Sequence, residues 1–188
     1  KGVVQINDHA VAVVADTWWR ANTALNALPI VWDEGKAANV SQDDINKMLR
    51  NGLDEQGDFW QRKVGNAPEV ISGSAKKVEA IYFTPFRAHV TMEPMNATVK
   101  INGDRVEAWV PTQNAEGSMA ALSEATGIPL ANCEVYKLDS GCGLGRRGST
   151  QDFVTYAAKV AMKYPGVPVK LLWSREEDLT HDYYHPIA

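Results

Sequence analysis

Between Ala97 and Val110 the apolar residues alternate, with Ala97, Val99 and Ile101 on the way out and Val106, Ala108 and Val110 on the way back. The reversal carries Asn102-Gly103, the pair that a tight hairpin turn needs at its positive-φ positions. A period of two puts the six apolar residues on one face of a ribbon, and that face must be covered by other elements. Candidates follow in order. A helix is predicted near 115–126, with Ala115, Met119, Leu122 and Thr126 aligned and Gly127 as its left-handed stop. Cys133 to Asp139 reads as a strand solvated on one face. Ser149-x-x-Asp152 reads as the cap of a second helix with the stripe Phe153, Ala157, Val160, Ala161 and Tyr164, ended by Pro165-Gly166. Val169 to Trp173 is the last strand. Val78 to Phe83 reads as a strand at the front. The predicted fold is α+β, a mixed sheet with helices packed on one side, over residues 78–188.

The rest of the chain is weaker in pattern. Residues 1–34 hold the strand Gly2 to Ile6, a buried run Val11 to Ala15, a helix capped by Asp16 with Trp18, Ala21, Leu25 and Leu28 on one face, and a short strand Ile30 to Trp32. Two edge strands and one helix bury little alone, so this zone reads as the remnant of a larger module, with exposed apolar surface and self-association as the expected consequence. Residues 35–77 are richer in Gly, Asn, Asp, Gln and Lys and read as a connector, with one short helix started by Ser41-x-x-Asp44 and turning Ile45, Met48 and Leu49 inward. The chain opens on Lys1 directly before a strand, which reads as a piece of a longer protein. No compartment follows from the lack of a targeting segment.

Composition narrows the classes. The 188 residues are 45% hydrophobic and 22% charged, with a formal net charge of −4. A broad basic surface for nucleic acid is not expected. No apolar run approaches the roughly 18 residues that would cross a bilayer as a helix. Two cysteines, Cys133 and Cys142, are too few for a disulfide framework or a four-thiolate metal site.

Chemistry concentrates in Ser140-Gly141-Cys142-Gly143-Leu144-Gly145-Arg146-Arg147-Gly148. Glycines between a strand and a helix let the backbone turn sharply and approach a ligand, and successive N–H groups there can form an anion-binding concavity. Arg146 and Arg147 add two permanent charges suited to phosphate. The alternative is a Gly-rich turn with two solvated arginines. Gly143-x-Gly145-x-x-Gly148 also fits the dinucleotide fingerprint, but the preceding strand is half polar and position 168, where an acid would stand, is Pro. Cys142 among N–H donors could serve as a nucleophile, or it could simply be a small residue in a crowded loop. Pro111-Thr112-Gln113-Asn114 lies before the first core helix, where Thr112 or Asn114 could cap it. His89 and Glu93 are four apart, but Pro94 disrupts a helix there and two ligands rarely make a metal site. The tail His181-Asp182-Tyr183-Tyr184-His185 is equally ambiguous, and packed or solvated histidines are the simpler reading.

Four segments in register resemble the large, molybdenum-binding subunit of the xanthine dehydrogenase and aldehyde oxidase family, nearest its isoquinoline 1-oxidoreductase beta-subunit and membrane-associated aldehyde dehydrogenase branch. They are His89-Val90-Thr91-Met92-Glu93-Pro94-Met95-Asn96-Ala97, Pro111-Thr112-Gln113-Asn114, Gly141 to Arg147, and Val169-Lys170-Leu171-Leu172-Trp173-Ser174-Arg175-Glu176-Glu177-Asp178. The resemblance implies a division into the end of a hammerhead-like domain (1–34), a connector (35–77) and the first part of a molybdopterin-binding domain (78–188).

It also implies a site. In such enzymes the glutamine of Thr-Gln-Asn hydrogen-bonds an oxo ligand of molybdenum, here Gln113. A loop usually written Gly-Gly-Gly-Phe-Gly lies against the cofactor, here Gly141, Cys142, Gly143, Leu144 and Gly145, followed by Arg146 and Arg147. Leu144 takes the place of an aromatic that packs on substrate, and Cys142 the place of a glycine. No protein atom would ligate the metal directly, and the family's catalytic glutamate lies beyond this chain, so no catalytic residue is assigned here and the piece alone is expected to be inactive. The implied reaction is oxidation of an aldehyde or N-heterocycle with water-derived oxygen. The implied cofactors are molybdopterin, in its cytosine dinucleotide form, with molybdenum, and iron–sulfur clusters on a partner subunit or domain, none of them expected on the fragment. The remaining large subunit and a small-molecule substrate complete the partners. The branch suggests a periplasmic or membrane-associated setting. The alternative is a binding or scaffold module on the same fold that has lost the molybdenum site.

Overall fold

A computed structural model describes residues 1–55 and 64–187. In chain order its elements are β1 (Gly2–Asn7), β2 (Ala10–Val14), α1 (Trp18–Asn26), α2 (Gln42–Gly52), α3 (Ala67–Gly73), β3 (Asn96–Asn102), β4 (Arg105–Val110), α4 (Ala115–Thr126), β5 (Cys133–Lys137), α5 (Asp152–Ala161), β6 (Val169–Leu172) and α6 (Arg175–Thr180). The chain divides into two compact units, residues 1–29 with 87–185, and residues 30–86 with 186–188.

The first unit is built on a four-stranded mixed sheet in the order β5-β4-β3-β6. β3 pairs antiparallel with β4 across the two-residue turn Gly103-Asp104, one position beyond the expected Asn102-Gly103, because Asn102 still pairs with Arg105 and of the two expected turn residues only Gly103 has a positive φ, 62°. β3 also pairs antiparallel with β6 on its other side, while β5 runs parallel to β4. Ala97, Val99, Val106, Ala108 and Val110 are fully buried. Helix α5 covers this face with Phe153, Val154, Ala157, Ala158, Val160 and Ala161. Truncating a side chain such as Phe153 to Ala would cost about 3–5 kcal/mol. Helix α4 packs beside α5 and ends at Gly127, whose φ of 73° few other residues would accept. The predicted α+β sheet with its hairpin is therefore present. The hairpin β1-β2 belongs to this unit, and the Trp18 indole N–H donates to Leu172 O at 3.4 Å.

Several local expectations are corrected. Val78 to Phe83 forms no strand; Val78 and Tyr82 are 87% and 88% exposed, so the apolar run has no sheet to join. Ile30 to Trp32 is also outside any strand. In β2 only Ala12 is buried, so the run is not a core strand. Thr17, not Asp16, caps α1, its hydroxyl accepting the Arg20 N–H. Gln151, not Ser149, precedes α5; Asp152 is its first residue and its carboxylate accepts from Arg146. The larger compact unit holds residues 87–185 together with residues 1–29.

In the second unit, Ser41 and Asp44 form the expected reciprocal capping box at the start of α2. Met48 is exposed rather than inward, and neither α2 nor α3 has a buried residue. Residues 56–63 of the expected connector lie outside the described residues.

Candidate functional site

Strands β4 and β5 are parallel neighbours, so both deliver their C-terminal loops to the same edge of the sheet. The Leu138 N–H continues the pairing onto Val110 O at 2.9 Å. Beyond Val110 the chain is locked at two points. The Thr112 hydroxyl accepts the Asn114 N–H at 3.0 Å, and Asn114 Oδ1 accepts the Gly117 N–H at 2.8 Å, which makes Asn114 the cap of α4. Gln113 sits between these fixed residues. Its own N–H donates to Arg147 O at 3.2 Å, and the residue is exposed.

The Gly-rich loop lies directly against it. A Cβ built on Gly143 would fall 2.6 Å from the Gln113 amide carbon, and closer still to its carbonyl oxygen. Only glycine leaves room for that side chain in its present position. Among the described residues the Gln113 amide makes no hydrogen bond, and neither do the backbone N–H groups of Gly143, Leu144 and Gly145. Leu144 is 56% exposed. Of two surface cavities, one of about 380 Å³ lies away from the loop beside Arg105 and Glu134, and one of about 240 Å³ is lined by Trp18, Trp173 and Glu93.

The loop conformation is strained. Cys142 and Leu144 have φ of 81° and 48°, a region that costs an L residue about 1–2 kcal/mol. What holds it is mainly Arg147, which is completely buried. Its Nε donates to Cys142 O at 3.1 Å, Nη1 to Pro111 O at 2.8 Å and Nη2 to Glu93 O at 2.6 Å, so one guanidinium ties three segments together. Glu93 anchors the loop's start: its Oε2 accepts the Gly141 N–H at 2.8 Å and lies 3.3 Å from Arg147 Nη2, while its own N–H donates to Gly141 O at 3.0 Å. Burial works against the Arg147 cation and lowers its pKa from the ordinary arginine value, with Glu93 pulling the other way.

Arg146 is 1% exposed and makes two hydrogen bonds to Asp152, at 2.9 and 2.8 Å. Its Nε lies 3.0 Å from Asp182 Oδ1, an ion pair without hydrogen-bond alignment, and its guanidinium stacks near Trp173 and Tyr183. Burial opposes this cation too, but Asp152, then Asp182 and Asp178, more than offset it, and its pKa is raised. The expectation of two charges turned out for phosphate is corrected for both arginines. Their carboxylate and carbonyl partners are already inside the fold. An unpaired buried guanidinium would cost several kcal/mol, and that penalty draws acids in towards it.

His89 approaches from a third segment. Its Nδ1 lies 3.0 Å from both oxygens of Asp182, and its Cδ2 and Nε2 lie 3.2 Å from where a Cβ on Gly145 would stand. His185 packs on the ring at a centroid distance of 4.3 Å. His89 and Glu93 therefore do not converge on a metal. No group of three or more His, Cys, Asp or Glu suited to a metal ion occurs among the described residues. Cys142 is exposed and free. No spacing rule connects Glu93, Asp152 and Asp182 to the loop. The one signal available in the sequence is a pair of adjacent arginines; the acids that meet them read there as a helix cap (Asp152), as half of a metal pair (Glu93) or as part of an ambiguous tail (Asp182).

Comparison with known proteins decides the family. Residues 52–186 match the family described as the molybdopterin cofactor-binding domain. The chain belongs to that family. Relatives of this chain include the aldehyde oxidoreductase molybdenum-binding subunit PaoC of Escherichia coli K12, 25% identical over 87% of the chain and 22% of that protein. The xanthine dehydrogenase/oxidase of Rattus norvegicus is 26% identical over 89% of the chain and 12% of its own length. Isoquinoline 1-oxidoreductase subunit beta of Brevundimonas diminuta is 26% identical over 91% and 23%. The chain thus spans less than a quarter of these proteins. Among solved structures, quinoline 2-oxidoreductase from Pseudomonas putida 86 superposes with a TM-score of 0.54 at 21% identity, over 60% of the chain and 14% of that structure. The Cu,Mo-CO dehydrogenase gives 0.52 at 19% identity, over 86% and 22%. At such identities the likeness is one of fold.

Proposed function

We propose that this chain supplies one wall of the cofactor site in the large subunit of a molybdenum hydroxylase. The observation that carries the reading is the unbonded Gln113 amide lying over Gly143, next to three successive unbonded N–H groups. Such a surface fits a group rich in oxygen acceptors and carrying partial negative charge, as molybdopterin with molybdenum would be. When bound, that group supplies two-electron oxidation with oxygen taken from water.

The chain's own part is to position. The Gln113 amide N–H donates to an oxygen of the bound group, and the N–H groups of Gly143 to Gly145 donate to neighbouring acceptors. Leu144 turns an apolar side chain towards substrate, which suits an aldehyde or an N-heterocycle less dependent on stacking than a fused aromatic. Gly141 and Cys142 form the turn that brings these donors forward. Arg146 and Arg147 serve the site from behind, by holding the loop in its strained form rather than by touching the cofactor. The rest of the large subunit completes the pocket, and an iron–sulfur subunit or domain takes the electrons. The cytosine dinucleotide form of the cofactor and a periplasmic or membrane-associated setting are part of the same proposal and rest on the sequence's resemblance to that branch.

The test is the molybdenum and pterin content of the full-length subunit expressed with its partner. Stoichiometric metal is expected. Gln113→Ala should then lower turnover by roughly 10- to 1000-fold, the range for removing one preorganised donor. A wild-type protein without metal or pterin would leave the scaffold reading in its place.

A further inference from the structure

The His89 ring is oriented by a residue far away in sequence and keeps one nitrogen unused. Asp182, 93 positions on, sits 3.0 Å from Nδ1 through both carboxylate oxygens and also faces the His89 backbone N–H. The carboxylate at Nδ1 takes the proton of that nitrogen as its partner, so that in the neutral ring Nε2 is the acceptor. Arg146, at 3.0 Å from Asp182, keeps the carboxylate in place from its other side. Among the described residues Nε2 has no hydrogen-bond partner. It lies against Gly145, the third of the unbonded N–H positions, and the side chain remains 11% exposed. The neighbouring Val90 has a φ of 51°, an outlier for a β-branched residue, so the backbone that carries the ring is itself held under strain.

We propose that His89 is a ligand-binding residue of the loop site, its Nε2 accepting a hydrogen bond from an N–H group of a pterin-type heterocycle bound against Gly145. The backbone of residues 143–145 presents three unbonded N–H donors, and Nε2 of His89 beside Gly145 adds a side-chain acceptor for a heterocycle that also carries N–H groups. The Asp182-oriented imidazole is the acceptor that the structure places there. This inference rests on the cofactor reading above.

Two substitutions separate binding from packing. Asn at 89 puts an amide where Nδ1 stands and keeps a bond to Asp182 but removes the atom at Nε2. Gln puts an amide near Nε2 and gives up the Asp182 bond. The full-length subunit, co-expressed with its partner, is purified in each form, and two quantities are read: pterin retained, as fluorescence after oxidative release, and the unfolding temperature of the cofactor-free protein. His89→Asn is expected to unfold like the wild type yet retain about tenfold less pterin through dialysis, the effect of about one lost hydrogen bond. Pterin retention by His89→Asn equal to wild type overturns the proposal. So does a loss of pterin that merely follows a fall in unfolding temperature in both variants. Should His89→Asn fail to fold, His89→Gln decides: retention within a few-fold of wild type supports the contact, and complete loss refutes it. Wild-type protein with no pterin removes the cofactor reading and this inference together, whereas loaded wild type with an indifferent His89→Asn removes only the inference.

Discussion

The side-chain amide of Gln113 occupies the space where a Cβ on Gly143 would be, 2.6 Å from the amide carbon. Gly143 has no positive φ, so alanine could adopt its backbone, and the obstacle is the end of a flexible side chain. Gly143→Ala should therefore swing the amide aside at a stability cost below about 1 kcal/mol. Cofactor content or turnover should nevertheless fall at least tenfold. An alanine variant with full cofactor and full turnover would show that the Gln113 amide need not stay over the loop.

Cys142 carries a side chain at φ 81°. Glycine there removes the clash but gives the unfolded chain more freedom, and these effects oppose each other. The clash is the larger, so Cys142→Gly should stabilise the protein by about 0.5–1 kcal/mol, measured as a higher urea midpoint at unchanged slope. Cys142→Ala keeps the clash and should gain nothing. Equal stability of the two variants would count against strain at this position.

Arg147 should behave as a structural residue. Lysine cannot donate at once to Cys142 O, Pro111 O and Glu93 O, and of the carbonyls it abandons that of Pro111 is buried. Arg147→Lys is expected to cost about 3–5 kcal/mol, the range for breaking a buried charged network. Denaturant unfolding followed by circular dichroism would show it; a loss under 1 kcal/mol would make Arg147 an ordinary solvent-facing charge.

Burial raises the Asp178 pKa, with Arg175 and then Arg146 opposing the rise only in part. The folded state then holds this proton more tightly than the unfolded one. Its favourable contribution is complete below the ordinary aspartate value of about 3.9 and is lost as pH rises through the folded value. Relative to Asp178→Asn, the wild type should therefore lose stability between pH about 3.5 and 7. Paired urea titrations at the two pH values would detect this, and a difference that grows with pH would have the wrong sign.

Features set within a few residues are legible in the sequence alone. The αL stop at Gly127 and the Ser41/Asp44 capping box lie where local pattern puts them, and the hairpin reverses within one residue of it, at Gly103-Asp104, because each depends on backbone sterics and hydrogen bonds inside one short window. The parallel pairing of β5 with β4, which sets Gln113 beside the glycine loop, follows from the sequence only through two strand ends and the family resemblance. Long-range burial is not legible. Val78 to Phe83 has a strand's composition but no partner, since composition does not say which edge is vacant. Arg146 and Arg147 have the character of phosphate ligands until the fold brings Glu93, Asp152 and Asp182 against them. The sequence by itself determined the turns, the caps and the alternating faces; only the tertiary structure decided where the charges point. A buried guanidinium must find its carboxylates and carbonyls wherever the fold brings them, and that pairing leaves no periodic trace along the chain.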